Sequence, residues 1–322
     1  MASNRLGAVI LAAGKGTRLK SELPKVLHEI CGRPMLAWVI DVCRAAEIQD
    51  CVVVVGHGKS LVIDAFADDR HLTWVEQNPQ LGTGHAVLVC REQIRGFEHV
   101  VVLCGDGPLI RAETVKELLA RHLADGNSAT LATAILDDPT GYGRIWRDER
   151  GNLRGIVEHA DATPEQRQIR EVNPSYYCFR TADLLAALDQ IRPNNAKNEY
   201  YITDTLAVLM QAGKRVGAVT AVPPQDIYSI NSRKELALVN RMMRDRTLER
   251  LMDDGVTIVD PATTWIDPRA TIGVDTVIQP HVVIDGPATI GCECRIGPFV
   301  HLTGGTPVPD RSLVGGRDGY PT

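Results

Sequence analysis

No stretch of this sequence is apolar for long enough to span a bilayer. Its first residues, MASNRLGAVILAAGKG, hold one Arg and run straight into a glycine loop, unlike a secretory leader. A basic excess is missing too: 35 Lys and Arg stand against 40 Asp and Glu, for a formal net charge of −5. A general nucleic-acid surface needs the opposite balance. Nor do the cysteines form a disulfide framework. Residues 31, 43, 51, 90, 104, 178, 292 and 294 are scattered through apolar contexts such as VVVLCGD and VLVCRE, as reduced thiols are. Cys292 and Cys294 are close in sequence, but no second pair completes a zinc set. These absences predict a cytoplasmic protein with neither a membrane nor a nucleic acid as partner. An anionic small substrate is compatible with them, if the cations that hold it are locally concentrated.

With 322 residues, 44% of them hydrophobic and 23% charged, the chain has the profile of a globular protein long enough for two domains. Over residues 6–110, the runs AVILAA, CVVVVG and HVVVLCG are rich in Val and Leu and read as buried parallel strands. MLAWVIDVCRAA and GHAVLVCREQI, between them, have helical apolar spacing. This alternation predicts a mostly parallel, Rossmann-like α/β sheet covered on both faces, with its ligands beyond the carboxyl ends of the strands. Residues 232–252 read as one amphipathic helix, with Ser232 and Glu235 as a capping box and Leu236, Val239, Met243, Leu248 and Leu251 along its apolar face. From Ile266 an aliphatic residue recurs every six positions, at 272, 278, 284, 290, 296 and Leu302. Hexapeptide periodicity predicts a parallel β-helix of about two coils. The Gly- and Pro-rich residues beyond Leu302 are expected to be loose. The domain reading is therefore 1–231, the α/β domain; 232–255, a linking helix; 256–303, a short β-helix; and 304–322, a tail.

Two motifs carry chemistry. LAAGKGTRLKSELPKVL, residues 11–27, follows a strand, and Gly14 and Gly16 let backbone N–H groups approach a phosphate while Lys15, Arg18 and Lys25 supply charge. It is not a dinucleotide fingerprint, since Leu19 stands where the third glycine belongs, and it lacks the P-loop pattern. Three cations around one loop suit a triphosphate. In VVVLCGDGPLI, residues 100–110, Asp106 follows an apolar strand through Gly105, which sets a hard oxygen ligand for Mg²⁺ at the binding edge of the sheet. Taken singly, each motif also reads as an ordinary turn.

Taken together, LAAGKGTR…LPKVLH, QLGTGHA, GDGPL, DDPTGYGRI, IVEHADATPEQRQI and NNAKNEYYITD give residues 6–300 a resemblance to a known family. It is that of the bacterial bifunctional N-acetylglucosamine-1-phosphate uridyltransferase/glucosamine-1-phosphate acetyltransferases. The resemblance implies a uridyltransferase domain followed by a left-handed parallel β-helix, and a cytoplasmic role in supplying cell-envelope precursors. Its substrates would be UTP and N-acetylglucosamine 1-phosphate and its cofactor Mg²⁺; members of the family form trimers, and a chain with about two coils is expected to form a weaker or altered homo-oligomer. Arg18 and Lys25 would act on the UTP phosphates, with Leu11 and Gly14 beside the nucleotide. Gln77 would read the uracil, with Gly82 and Thr83 as neighbours. Gly141, Glu158 and Asn173 would hold the sugar, and Asp106 and Asn231 the metal. His57, His85 and His159 read as structural, because a sugar phosphate is already anionic and needs no base.

The chain departs from that family at three places. Gly107 replaces the usual Thr or Val after the metal aspartate. Pro174-Ser175 follows Asn173 where the family has Thr or Ser and then Gly. His301-Leu302-Thr303-Gly304-Gly305 replaces Arg-Leu-Arg-Pro-Gly, and the later coils that hold acetyl-CoA are missing, so no acetyltransferase activity is expected. Three other readings compete: a sister enzyme for another sugar or nucleotide, a non-catalytic nucleotide-sugar binding module, and an NAD-dependent oxidoreductase.

Overall fold

The computed structural model describes residues 5–195, 198–305 and 307–315. Its backbone divides into two compact units. One runs to His28 and resumes over Met35–Asn231; the other joins Glu29–Pro34 to the residues from Ser232 onward.

The first unit is built on a nine-stranded sheet. Leu6–Leu11 lies between Cys51–Val55 and His99–Cys104, parallel to both, and Leu72–Glu76 extends that parallel set beyond Cys51–Val55. The central segments CVVVV and HVVVLC are almost fully buried, as expected of strands covered on both faces. The long strand Glu171–Arg180 breaks the pattern by running antiparallel both to His99–Cys104 and to Ala129–Ile135. Val216–Thr220 then closes the far edge, parallel to Ala129–Ile135. The helical run after Met35 forms as expected over Met35–Ala45. The second expected helix is interrupted, with Thr83–Leu88 and Arg91–Ile94 separated at Val89-Cys90. Cys90 is fully buried there, donating its thiol to the Ala86 carbonyl, and its ψ of 2° takes the backbone out of the helix.

In the second unit, Arg233–Asp253 is a helix capped by the Ser232 hydroxyl, which accepts from the Glu235 N–H. Val239, Met243, Leu248 and Leu251 are buried, and Leu236 is half-buried. Beyond it the aliphatic ladder forms a three-faced parallel β-helix. Ile266 stacks on Ile284 and Leu302, Ile272 on Ile290, and Ile278 on Ile296. The register does not stop at Leu302. Val308 bridges to Ile290, and Leu313–Val314 pairs with Arg295–Ile296. Both valines keep the six-residue spacing, so ladder pairing orders a segment whose Gly and Pro content alone points to a loose chain. Thr306 and residues 316–322 lie outside the described residues.

Candidate active site

The chemistry-bearing residues of the first unit gather at the carboxyl ends of its parallel strands. Leu11 ends the first strand, and its carbonyl accepts the Gly105 N–H at 2.9 Å, which ties the glycine loop to the turn that bears Asp106. Gly14 is exposed with open space where a Cβ would stand. Gly16 has a φ of +60°, and a Cβ there would come within 2.8 Å of the Lys25 Cβ, so only glycine fits. Arg18, on the short turn Thr17–Leu19, is exposed, as is Lys15, and neither forms an ion pair among the described residues.

Lys25 is buried, and its ammonium donates to a carboxylate oxygen of Asp106 and, at 2.8 Å, to Oδ1 of Asn231. Two further contacts bring Asn231 to this point. The Ile230 N–H donates to the Asp106 carbonyl at 3.0 Å. Asp226, fully buried, anchors the preceding segment by accepting from Arg111 Nε at 2.5 Å and Nη2 at 3.3 Å. The two residues assigned to a metal thus meet, with the ammonium assigned to phosphate lying between their oxygens.

Among the described residues there is no cluster of three or more His, Cys, Asp and Glu that could hold a metal. The donor set present, one carboxylate and one amide oxygen already converging on a cation, fits Mg²⁺. That ion keeps several waters and draws its remaining ligands from substrate phosphates.

Beside this cluster a cavity of about 270 Å³ opens, lined by Asp106, Gly107, Gly141, Glu158, Asn173 and Asn231 among others. A bulge shapes it. Strand Glu171–Arg180 shifts register between Val172 and Tyr176, and Val172 and Asn173 pair with Arg144 and Gly143 of the Gly143–Arg147 hairpin strand. Ser175, with a φ of 68°, turns the chain so that its N–H donates to Asn173 Oδ1 at 3.0 Å. Asn173 Nδ2 donates to Tyr177 Oη at 2.7 Å, so a buried amide is fixed at the cavity wall. The Pro174-Ser175 departure is the bulge itself. Gly143 places the half-buried Glu158 opposite: a Cβ there would lie 3.5 Å from both carboxylate oxygens.

On the other side of the glycine loop, Gln77 is buried and donates from Nε2 to the Gly82 carbonyl at 2.9 Å and to His85 Nδ1 at 3.1 Å. Burial lowers the His85 pKa, so its ring is neutral and can accept. Gly82 has a φ of +105°, and a Cβ there would come within 2.6 Å of the Tyr200 carbonyl, while Thr83 Oγ1 accepts from the Ile202 N–H at 3.1 Å.

Sequence reasoning missed several residues. Cys104, Tyr142, Tyr176, Ile227 and Ser229 also line the cavity. Arg144 is almost wholly buried and donates to the Tyr142 and Arg167 carbonyls and to His159 Nδ1, tying the cavity-lining Tyr142 to those segments. No local pattern marks Arg144 or Asp226, because what distinguishes them is burial of a charge.

Residues 8–197 match the family model described as the MobA-like NTP transferase domain. Two curated relatives are named bifunctional protein GlmU. That of Caldanaerobacter subterraneus subsp. tengcongensis is 43% identical over 281 residues, which cover 87% of this chain and 61% of the relative. That of Pelotomaculum thermopropionicum is 48% identical over 276 residues, covering 85% and 60%. The chain therefore spans about three-fifths of the length of these relatives. A solved structure of UDP-glucose pyrophosphorylase complexed with UDP-glucose shares the fold, with a TM-score of 0.61 at 18% identity over 76% of this chain and 100% of that one.

Proposed function

The chain belongs to the family of MobA-like NTP transferase domains, and from that premise we propose a sugar-phosphate nucleotidyltransferase that moves uridylyl from UTP to N-acetylglucosamine 1-phosphate. The phosphate oxygen of the sugar forms a bond to the α-phosphorus, the bond to the β-phosphate oxygen breaks, and pyrophosphate leaves. The nucleophile is anionic at neutral pH, so the protein has no proton to remove, and its work is positioning and charge neutralisation. The observation that carries the reading is the cavity in which Asp106, Asn231, Glu158 and Asn173 face one space at the carboxyl edge of the sheet.

Each group has a role in this reading. Lys25 and Arg18 neutralise the triphosphate and the departing pyrophosphate. Asp106 and Asn231 would hold Mg²⁺, which when bound withdraws charge from the phosphates. Gly14, next to Leu11, lets the backbone approach the nucleotide. Gln77 has both amide hydrogens engaged, so its carbonyl oxygen is left to accept the N3–H of uracil, a donor that cytosine lacks. Gly82 and Thr83 shape that loop. Gly141, Glu158 and Asn173 border the sugar. Acetyl transfer to glucosamine 1-phosphate stands outside the proposal, since His301–Gly305 does not carry the Arg-Leu-Arg-Pro-Gly run of the resembled family.

The test is pyrophosphate release from purified protein across paired nucleotides and sugar 1-phosphates with Mg²⁺. UTP with N-acetylglucosamine 1-phosphate should turn over fastest. Faster turnover of dTTP with glucose 1-phosphate would overturn the substrate assignment in favour of a sister enzyme.

A further inference from the structure

We propose that the Tyr176 hydroxyl is a specificity-determining hydrogen-bond donor to the sugar ring of the sugar 1-phosphate, working from space left open by Gly107. The proposal rests on the nucleotidyl-transfer reading above and adds a residue that neither the motifs nor the resemblance assigns.

Tyr176 is 2% exposed, and with Asp106, Gly107, Glu158 and Asn173 it lines the cavity. A Cβ at Gly107 would lie 3.0 Å from the Tyr176 hydroxyl oxygen, nearer than any other atom. Gly107 is not among the residues of positive φ, so its lack of a side chain is a matter of room and not of backbone conformation. The adjacent Tyr177 shows what a buried tyrosine normally does: its hydroxyl accepts from Asn173. The Tyr176 hydroxyl has no such protein partner among the described residues. Filling this volume needs only a phenyl ring; the hydroxyl adds a polar oxygen that faces the cavity. A partner that enters the cavity accounts for the oxygen.

The chemistry of that partner follows. A phenol carries its proton at neutral pH, so this wall of the cavity offers an O–H donor beside Gly107. An acceptor oxygen on the ligand suits it. The phosphate is claimed by the cationic cluster around Lys25, whereas the wall toward Tyr176 continues into Asn173, Glu158 and Gly141. The acceptor is a neutral oxygen of the pyranose, either a ring hydroxyl or the acetamido carbonyl.

Tyr176→Phe keeps the packing and removes the donor. Its KM for the preferred sugar 1-phosphate should rise about three- to tenfold, the usual worth of one neutral hydrogen bond, with the KM for UTP and the melting temperature unchanged. Gly107→Thr should produce the same sugar-side defect by crowding the hydroxyl, and Tyr176→Phe should add little on top of it. Sugar 1-phosphates lacking one hydroxyl, or the acetamido group, identify the acceptor as the analogue on which wild type and Tyr176→Phe become equal. Unchanged sugar KM in Tyr176→Phe, or equal rises for sugar and UTP, would overturn the proposal. Calorimetric binding of the sugar 1-phosphate to both proteins gives the readout independently of turnover. Equal affinities, or no binding by wild type, refute the Tyr176 role, while sugar binding by a wild type that releases no pyrophosphate refutes the reaction alone.

Discussion

Lys25→Met isolates the charge at the centre of the site. Methionine preserves the stem that packs against Gly16 and deletes only the ammonium that Asp106 and Asn231 share. Two effects of opposite sign should follow. Turnover should fall, because the departing pyrophosphate loses a fixed cation, and loss of one such group costs about 10²–10³-fold in rate. Affinity for a divalent cation without nucleotide should rise, since the ammonium no longer occupies the space between the two oxygens and Asp106 is left uncompensated. The stability cost should be small, about 1 kcal/mol, because the Asp106 side chain is 24% exposed and water screens the orphaned charge. The assay pairs pyrophosphate release at saturating Mg²⁺ with Mn²⁺ titration of the free protein and a thermal melt. Turnover within threefold of wild type would remove Lys25 from the chemistry. Mn²⁺ binding weaker than wild type would show that the ammonium is not the competitor its position implies.

Asp106→Ala should lower turnover about 10²–10³-fold, and Asn231→Ala less, because an amide neutralises no charge; a Mg²⁺ titration of each variant should recover part of the loss. Stability should also depend on pH through His122, which is wholly buried, hydrogen-bonded to His99 and Thr130, and pushed down to about 4 by burial and by its neighbours. The unfolded chain binds this proton near pH 6.5 and the folded chain does not, so stability should be full above about pH 6.5 and fall by about 2–3 kcal/mol as pH drops to about 4. Denaturant melts across that range check the slope, and His122→Gln should flatten it. Ile296→Ala, at a fully buried rung of the β-helix, should cost about 2–5 kcal/mol in the unfolding of the second unit while leaving pyrophosphate release intact.

What the sequence discloses follows the range of the interaction responsible. Val-rich runs and six-residue spacing are local, so the parallel strands and the stacked ladder are legible in them. Strand Glu171–Arg180 is not, because its antiparallel direction is decided by partners distant in the chain. Val308 and Val314 keep the ladder spacing, but glycines and prolines around them mask a register that pairing with Ile290 and Ile296 restores. In the site, the glycine loop and Asp106 stand out as motifs, whereas Asn231 enters only through the family resemblance. The ammonium bridge to Asn231, the Asp226–Arg111 anchor and the Tyr176–Gly107 fit carry no local mark, since each is a meeting of residues that ordinary turns and strands would also contain.

The short hairpin Glu29–Pro34 bears on how the molecule is made. Its backbone is held by Asn240, whose side-chain oxygen accepts the Cys31 N–H at 2.8 Å and whose amide donates to the Glu29 carbonyl at 3.2 Å, partners 209 and 211 positions away. During synthesis this early segment emerges long before the helix that receives it. These six residues must wait for that helix until most of the chain has been translated. A ribosome-bound series of increasing length should therefore show the Cys31 thiol open to alkylation until the 233–253 helix clears the exit tunnel, and shielded from then on.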